Sequence, residues 1–137
     1  YFKEKTTLPC SIVDFNLNVK DQSFGNKLDT LLNDPTLRGI FVSTSKGTAE
    51  AASRLALKGK RNIRLIGYDM LEENLKYLRK GVIDFLINQN PKRQAFLGIS
   101  HLVNHLLFKK IPPGTDLFPL EIISQENLES FAASGFH

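Results

Sequence analysis

Apolar positions along this chain alternate between two rhythms. Ile12–Leu17, after Pro9, is a short apolar stretch of strand type. Phe24, Leu28, Leu31 and Leu32 then recur at helical spacing until Asn33-Asp34-Pro35 stops the helix. Gly39–Val42 is again strand-like and opens directly onto polar Ser43-Thr44-Ser45-Lys46-Gly47, where a serine hydroxyl can cap the next helix. That helix carries Ala51, Ala52, Leu55 and Ala56 and ends near Gly59. Ile63–Gly67 predicts another strand, closing on Tyr68-Asp69, and Leu71, Leu75 and Leu78 mark one face of the helix beyond it, ended by Lys80-Gly81. Val82–Ile87 predicts a further strand. Asn88-Gln89-Asn90-Pro91 then starts the longest helix, whose apolar face is Ala95, Ile99, Leu102, Val103 and Leu106. The helix runs into Pro112-Pro113-Gly114, a last strand is predicted over Phe118–Ile123, and Asn127–His137 is a tail with room for a short helix.

Strands that alternate with helices through short polar turns predict an α/β fold, a parallel sheet flanked by crossover helices. In such sheets ligands bind beyond the carboxyl ends of the strands. Those ends carry Phe15-Asn16, Ser43-Thr44-Ser45, Tyr68-Asp69 and Asn88-Gln89, all able to donate or accept hydrogen bonds or to offer an aromatic face. A hydroxylated ligand would suit them.

Composition narrows the class without naming a chemistry. At 137 residues, with 42% hydrophobic and 23% charged positions, the chain can bury one real core. No apolar run reaches the roughly 20 residues of a membrane span. The first residues show neither an initiator Met nor a basic-then-apolar leader, and are expected to be either an artificial boundary or a cut inside a helix, upstream of which a targeting segment could have been lost. The net charge of +4 invites a nucleic-acid reading, but the basic residues are scattered among 14 acids. The densest cluster, Lys58, Lys60, Arg61 and Arg64, surrounds a helix end, where cations meet the negative pole of the dipole. Cys10 is alone, which excludes a disulfide framework and a cysteine metal cluster and fits a reducing cytosol.

Candidate chemistry is sparse. His101 and His105 share a helix face but have no adjacent Glu and no evident third ligand, so they are expected to flank the apolar stripe or an interface rather than hold a metal. Ser43–Gly47 lacks the glycine spacing of a phosphate-binding loop, and no serine has a nucleophile elbow around it. Asp69 is the most informative carboxylate, because it follows an apolar strand at once and so faces a crevice. It has no matched partner for acid–base work, and Glu72 and Glu73 open a helix where they favour its dipole. Ligand contact is the leading expectation for Asp69, with a turn or cap role as the alternative. Gln89 stands after the next strand, either reaching a ligand or completing the turn before Pro91. No cofactor is expected.

Three segments resemble one family. Ile63–Asp69, IRLIGYD, is similar to the "isvvGyDd" strand and turn of LacI-type transcriptional regulators. Val82–Gln89 with its long following helix resembles their "lTti.Q" strand and crossover, and Arg38–Ser45 resembles their "daifvaND" strand. The segments stand in family order and span roughly residues 10–125.

The resemblance implies the C-terminal lobe of a two-lobed, periplasmic-binding-protein-like (type I) sensor. On it, residues 1–88 and about 117–126 form that lobe, while the helix at about 91–110 crosses to the N-terminal lobe. Asp69 matches the Asp that bonds sugar hydroxyls, and Gln89 matches the hinge Gln. Thr44 and Ser45 stand where the family has Asn-Asp, so hydroxyls replace an amide and a carboxylate. Ala95 replaces a frequent Gly, a mild departure. Phe15 either stacks on a sugar face or packs in the core. The implied protein is a non-enzymatic, cytoplasmic, homodimeric regulator with a carbohydrate effector and no membrane partner. It would read DNA only through a helix-turn-helix domain absent from this chain. The rival expectations are a transporter's sugar-binding protein or an extracytoplasmic sensor of the same fold, and, from a third class, a flavodoxin-like enzyme that would show flavin absorbance.

Overall fold

The structure is a computed structural model that describes residues 23–60, 62–115 and 117–133, without the side chains of residues 132 and 133. The strand expected at Ile12–Leu17, and Phe15 with it, lies outside the described residues. From residue 23 the elements are α1 (Phe24–Leu32), β1 (Gly39–Phe41), α2 (Ser45–Leu57), β2 (Arg64–Tyr68), α3 (Glu72–Arg79), β3 (Phe85–Asn88), α4 (Pro91–Phe108), β4 (Glu121–Ile123) and α5 (Leu128–Ala133). The sheet order is β1-β2-β3-β4. β1, β2 and β3 are parallel, with Phe41 opposite Ile66 and Tyr68 opposite Ile87.

The last strand corrects the all-parallel expectation. β4 runs antiparallel to β3, with Asn88 opposite Glu121 and Leu86 opposite Ile123. A parallel return needs a helix that lies back across the sheet. α4 instead buries none of its 18 residues, and the chain comes back along β3 in the opposite sense. β4 is also shorter than Phe118–Ile123, since Pro119 has no N–H to give a ladder. β3 likewise starts later than Val82: the amides of Val82 and Ile83 both donate to Tyr77 O, closing the turn after α3 instead of pairing.

Why each helix forms and stops is visible locally. α1 is closed by a turn in which the Asp34 carboxylate accepts from the Thr36 hydroxyl and amide at 2.6 and 2.7 Å. Those bonds hold the Asp34 carboxyl below its ordinary pKa. α2 and α3 end at Gly59 and Gly81, both with φ near +60°, the left-handed cap that glycine adopts without strain. The N-cap of α2 is Thr44 in place of the expected serine, and its hydroxyl accepts from Gly47 N.

The core sits on the sheet face that carries Leu65, Leu86 and Ile123. Ala51, Ala52 and Leu55 of α2, Leu75 and Leu78 of α3, Ile83, and Leu128 of α5 close over it. α1 adds Phe24, Leu28 and Leu32, and Arg54 of α2 reaches back to Asp29. The opposite sheet face, with Phe41 60% and Ile122 57% exposed, is open among the described residues. The α4 stripe is open too: Phe96 is 68% exposed, Ile99 64% and Leu102 57%.

Candidate functional site

Because β1, β2 and β3 are parallel, their carboxyl ends share one rim of the sheet. The ladder continues one residue past two of them: Val42 N donates to Ile66 O at 2.9 Å and Asp69 N to Ile87 O at 3.0 Å. Thr44 and Ser45 leave β1, Asp69 leaves β2 and Gln89 leaves β3 along this rim. Four of the expected site residues are therefore brought to one edge; Phe15 lies outside the described residues.

The rim is held from below by two buried polar side chains. Thr48 of α2 is fully buried; its hydroxyl donates to Thr44 O at 2.7 Å and accepts from Tyr68 N at 3.1 Å. Asn74 of α3 is also fully buried, and its Nδ2 donates to Ser45 O, Tyr68 O and Asp69 O at 3.0 to 3.1 Å. These bonds satisfy carbonyls that have run off the end of the ladder. Asp69 then takes a left-handed backbone, φ +63°, a conformation costly for a residue with a Cβ and least so for Asn and Asp. Strain of this kind at a strand end is a mark of functional loops.

Among the described residues nothing bonds the half-buried Asp69 carboxylate, the Ser45 hydroxyl or the donors and acceptor of the exposed Gln89 amide. The Asp69 carboxylate oxygens are thereby left as acceptors for a ligand. Thr44 differs, since its hydroxyl oxygen already caps α2. The Gln89 carbonyl accepts from Gln94 Nε2, which ties the residue into the start of α4.

A further rim group, Glu121, has no expectation behind it in the pattern, and it meets Asn88, which does. Antiparallel β4 places Glu121, its first residue, beside the last residue of β3, and Asn88 Nδ2 donates to its carboxylate at 2.5 Å. Asn88 Oδ1 also accepts from Asn90 N, and Asn90, at φ +48°, caps α4 by accepting from Arg93 N. The polar chain Glu121–Asn88–Asn90 thus braces the exit from β3. Asn90→Ala removes the cap at a cost of about 1 kcal/mol. Amide exchange in the first turn of α4 is expected to rise about fivefold, as hydrogen-exchange mass spectrometry would read it.

Two grooves of the described surface are lined by none of these rim residues. One of about 380 Å³ follows α3 from Glu72 to Lys80, and one of about 310 Å³ sits at the far end of β2 and β3 between Lys60, Arg64 and Lys80. The rim is an edge rather than a pocket, and a second wall would have to face it. His105 Nδ1 is 3.1 Å from Lys110 O, and no group of three or more metal-ligating side chains occurs among the described residues. No helix among them is long and apolar enough to cross a membrane.

A parallel sheet with its polar groups gathered at the strand ends is the arrangement by which α/β domains bind small ligands. The chain belongs to the family described as periplasmic binding protein domain, whose model matches residues 10–110. Among solved structures it is similar to a candidate LacI transcriptional regulator from Bacteroides fragilis, with 32% identity over 83% of this chain and 38% of that one, TM-score 0.72. It is also similar to an ABC transporter solute-binding protein from Agrobacterium vitis bound with alpha-D-tagatopyranose, with 20% identity over 90% of this chain and 42% of that one, TM-score 0.78. A carbohydrate transporter solute-binding protein from Agrobacterium radiobacter, in complex with D-arabinose, matches at 21% identity over 82% of this chain and 39% of that one, TM-score 0.71. The two transport proteins establish likeness of fold. The chain spans about two fifths of the length of these structures. No curated protein sequence matches it.

Proposed function

We propose that this chain is the C-terminal part of the effector-sensing domain of a LacI-type transcriptional regulator, and that its effector is a small carbohydrate. The observation that carries the binding role is the position of half-buried Asp69 at the end of β2, on the same rim as Ser45 and Gln89, with a carboxylate that meets no partner among the described residues. A carboxylate accepts two sugar hydroxyls at once, and the Ser45 hydroxyl and Gln89 amide can both donate and accept. Thr44 and Phe15 complete the proposed contact set. The choice of regulator over transporter is supported by the 32% identity to the Bacteroides fragilis protein, against about 20% for the transport proteins.

On this reading residues 1–88 and about 117–126 form the C-terminal lobe, and α4 packs on the N-terminal lobe. Two observations support that division: the apolar stripe of α4 is exposed, and more than half the length of each similar structure is unmatched. The effector closes the two lobes over the rim. It can shift the lobe equilibrium only by binding one orientation more tightly than the other. In a cytoplasmic homodimer that shift resets the spacing of helix-turn-helix heads lying outside this chain. The domain performs no catalysis in this scheme.

A second reading, a sugar-binding protein of a transporter, draws support from the sugars bound to the two transport proteins. The test uses the two-lobed protein with its whole coding sequence, titrated calorimetrically with pentoses and hexoses and assayed for operator retardation with and without the best binder. Sugar-dependent retardation is the expected result. Sugar binding beside an upstream signal peptide and indifference to DNA would establish the second reading, and no binding to any aldose or ketose would sink the carbohydrate assignment.

A further inference from the structure

We propose that Asn74 is a positioning residue that sets the conformation of Asp69 and, through it, recognition of the ligand hydroxyls; the ligand part rests on the sugar-binding reading above. Asn74 stands on α3, away from the rim surface, with none of its side chain exposed. One amide nitrogen gathers carbonyls from two separate segments: Ser45 O at the start of α2, and Tyr68 O and Asp69 O at the end of β2. Two N–H bonds serve three acceptors, so at least one bond is shared.

The cost of this arrangement is on the same side chain. Asn74 Oδ1 is buried and has no hydrogen-bond partner among the described residues. An orphaned buried acceptor is destabilising, because its hydration is lost without replacement. The residue shares a helix stripe with Leu75 and Leu78, where an aliphatic side chain would avoid that cost. Turning the amide over would bring its oxygen against three carbonyls, which fixes the assignment of nitrogen and oxygen. What the amide secures is the departure from β2. It holds both Tyr68 O and Asp69 O, the two carbonyls on either side of the Asp69 backbone, while Asp69 N is held by Ile87 O. Backbone groups pinned on both sides of one residue keep it at φ +63°, where an unrestrained Asp would not settle. The same nitrogen holds Ser45 O, so the two rim segments that bear proposed ligand groups are fixed relative to each other.

The test has a ligand-free arm and a binding arm, both on the two-lobed protein. In the crystal structure or NMR spectrum of Asn74→Ala, Asp69 is expected to leave the left-handed region while the rest of the sheet stays in place. Asn74→Ser, which keeps one donor, serves if the alanine variant does not fold. In calorimetry with D-arabinose and D-galactose and their singly deoxygenated forms, Asn74→Ala is expected to weaken the better sugar about tenfold. It is also expected to flatten the preference between that sugar and its deoxy forms, which a loss of stability alone would not do. In an Asp69→Gly background, Asn74→Ala should cost less than a further twofold, because the residue acts through Asp69. Asp69 remaining at positive φ in the Asn74 variants would overturn the proposal, as would undiminished discrimination or full additivity with Asp69→Gly. Failure of the unmodified protein to bind either sugar would instead strike the sugar reading, and the ligand-free arm would still decide the role of Asn74.

Discussion

Gly67→Ala is expected to lower the stability of this domain by about 3 kcal/mol, seen in urea as a lower midpoint with an unchanged slope. Gly67 lies in β2 with its missing side chain facing α2. A Cβ built there overlaps the Cγ2 and Oγ1 of Thr48 and comes within 2.8 Å of its Cβ. Thr48 cannot rotate away freely, since its hydroxyl is committed to Thr44 O and Tyr68 N and none of it is exposed. The methyl therefore either lifts α2 from the sheet or expels Thr48 and leaves Tyr68 N unpaired. Overpacking costs about 1 to 3 kcal/mol and a stranded buried amide about as much again. Thr48→Ala should rescue only part of the loss, because the 2.8 Å approach to its Cβ remains. Complete rescue, or a Gly67→Ala protein as stable as its parent, would show that α2 yields at no cost.

Much of this framework was legible in the sequence because burial has a period. Of the residues that spacing placed on the apolar helix faces, Ala51, Ala52, Leu55, Leu75 and Leu78 are buried, whereas Ala56 and Leu71 are exposed, and the strands fall where short apolar runs meet polar ends. Strand direction has no such signature. Glu121-Ile122-Ile123 shows its strand character but not that it runs against β3, so the meeting of Glu121 with Asn88 could not be foreseen. Exposure of the α4 stripe was hidden for a related reason: periodicity gives a helix an apolar face without saying what covers it. Asn74 left a fainter trace. It stands three after Leu71 and four before Leu78, on the inward stripe of α3, where a polar residue needs an explanation. Behind Glu72 and Glu73, which open the helix, it drew no notice. The rim position of Asp69 was legible from its place after an apolar strand, whereas its left-handed backbone was not.

That backbone makes Asp69→Gly the most discriminating substitution at the rim. Glycine adopts φ +63° without the Cβ penalty, so the variant is expected to be as stable as the parent or up to about 1 kcal/mol more stable. Asp69→Ala keeps the Cβ and loses the side chain that best tolerates this region, so its stability should fall by a comparable amount. Both variants remove the carboxylate, and a charge-assisted hydrogen bond to a ligand is worth about 1.5 to 3 kcal/mol. Binding of the sugar should therefore weaken at least tenfold in both, since each 1.4 kcal/mol is a factor of ten. Stability and affinity then part company: the two variants differ in thermal midpoint and agree in their loss of binding. A carboxylate that merely capped the turn would give the reverse, with affinity following stability from one variant to the other. Unchanged calorimetric affinity in Asp69→Gly would remove Asp69 from the binding site. The unpartnered acceptor at the end of β2 would then need another occupant, for which Asn88 and Glu121 on the neighbouring strands mark the side of the rim to probe.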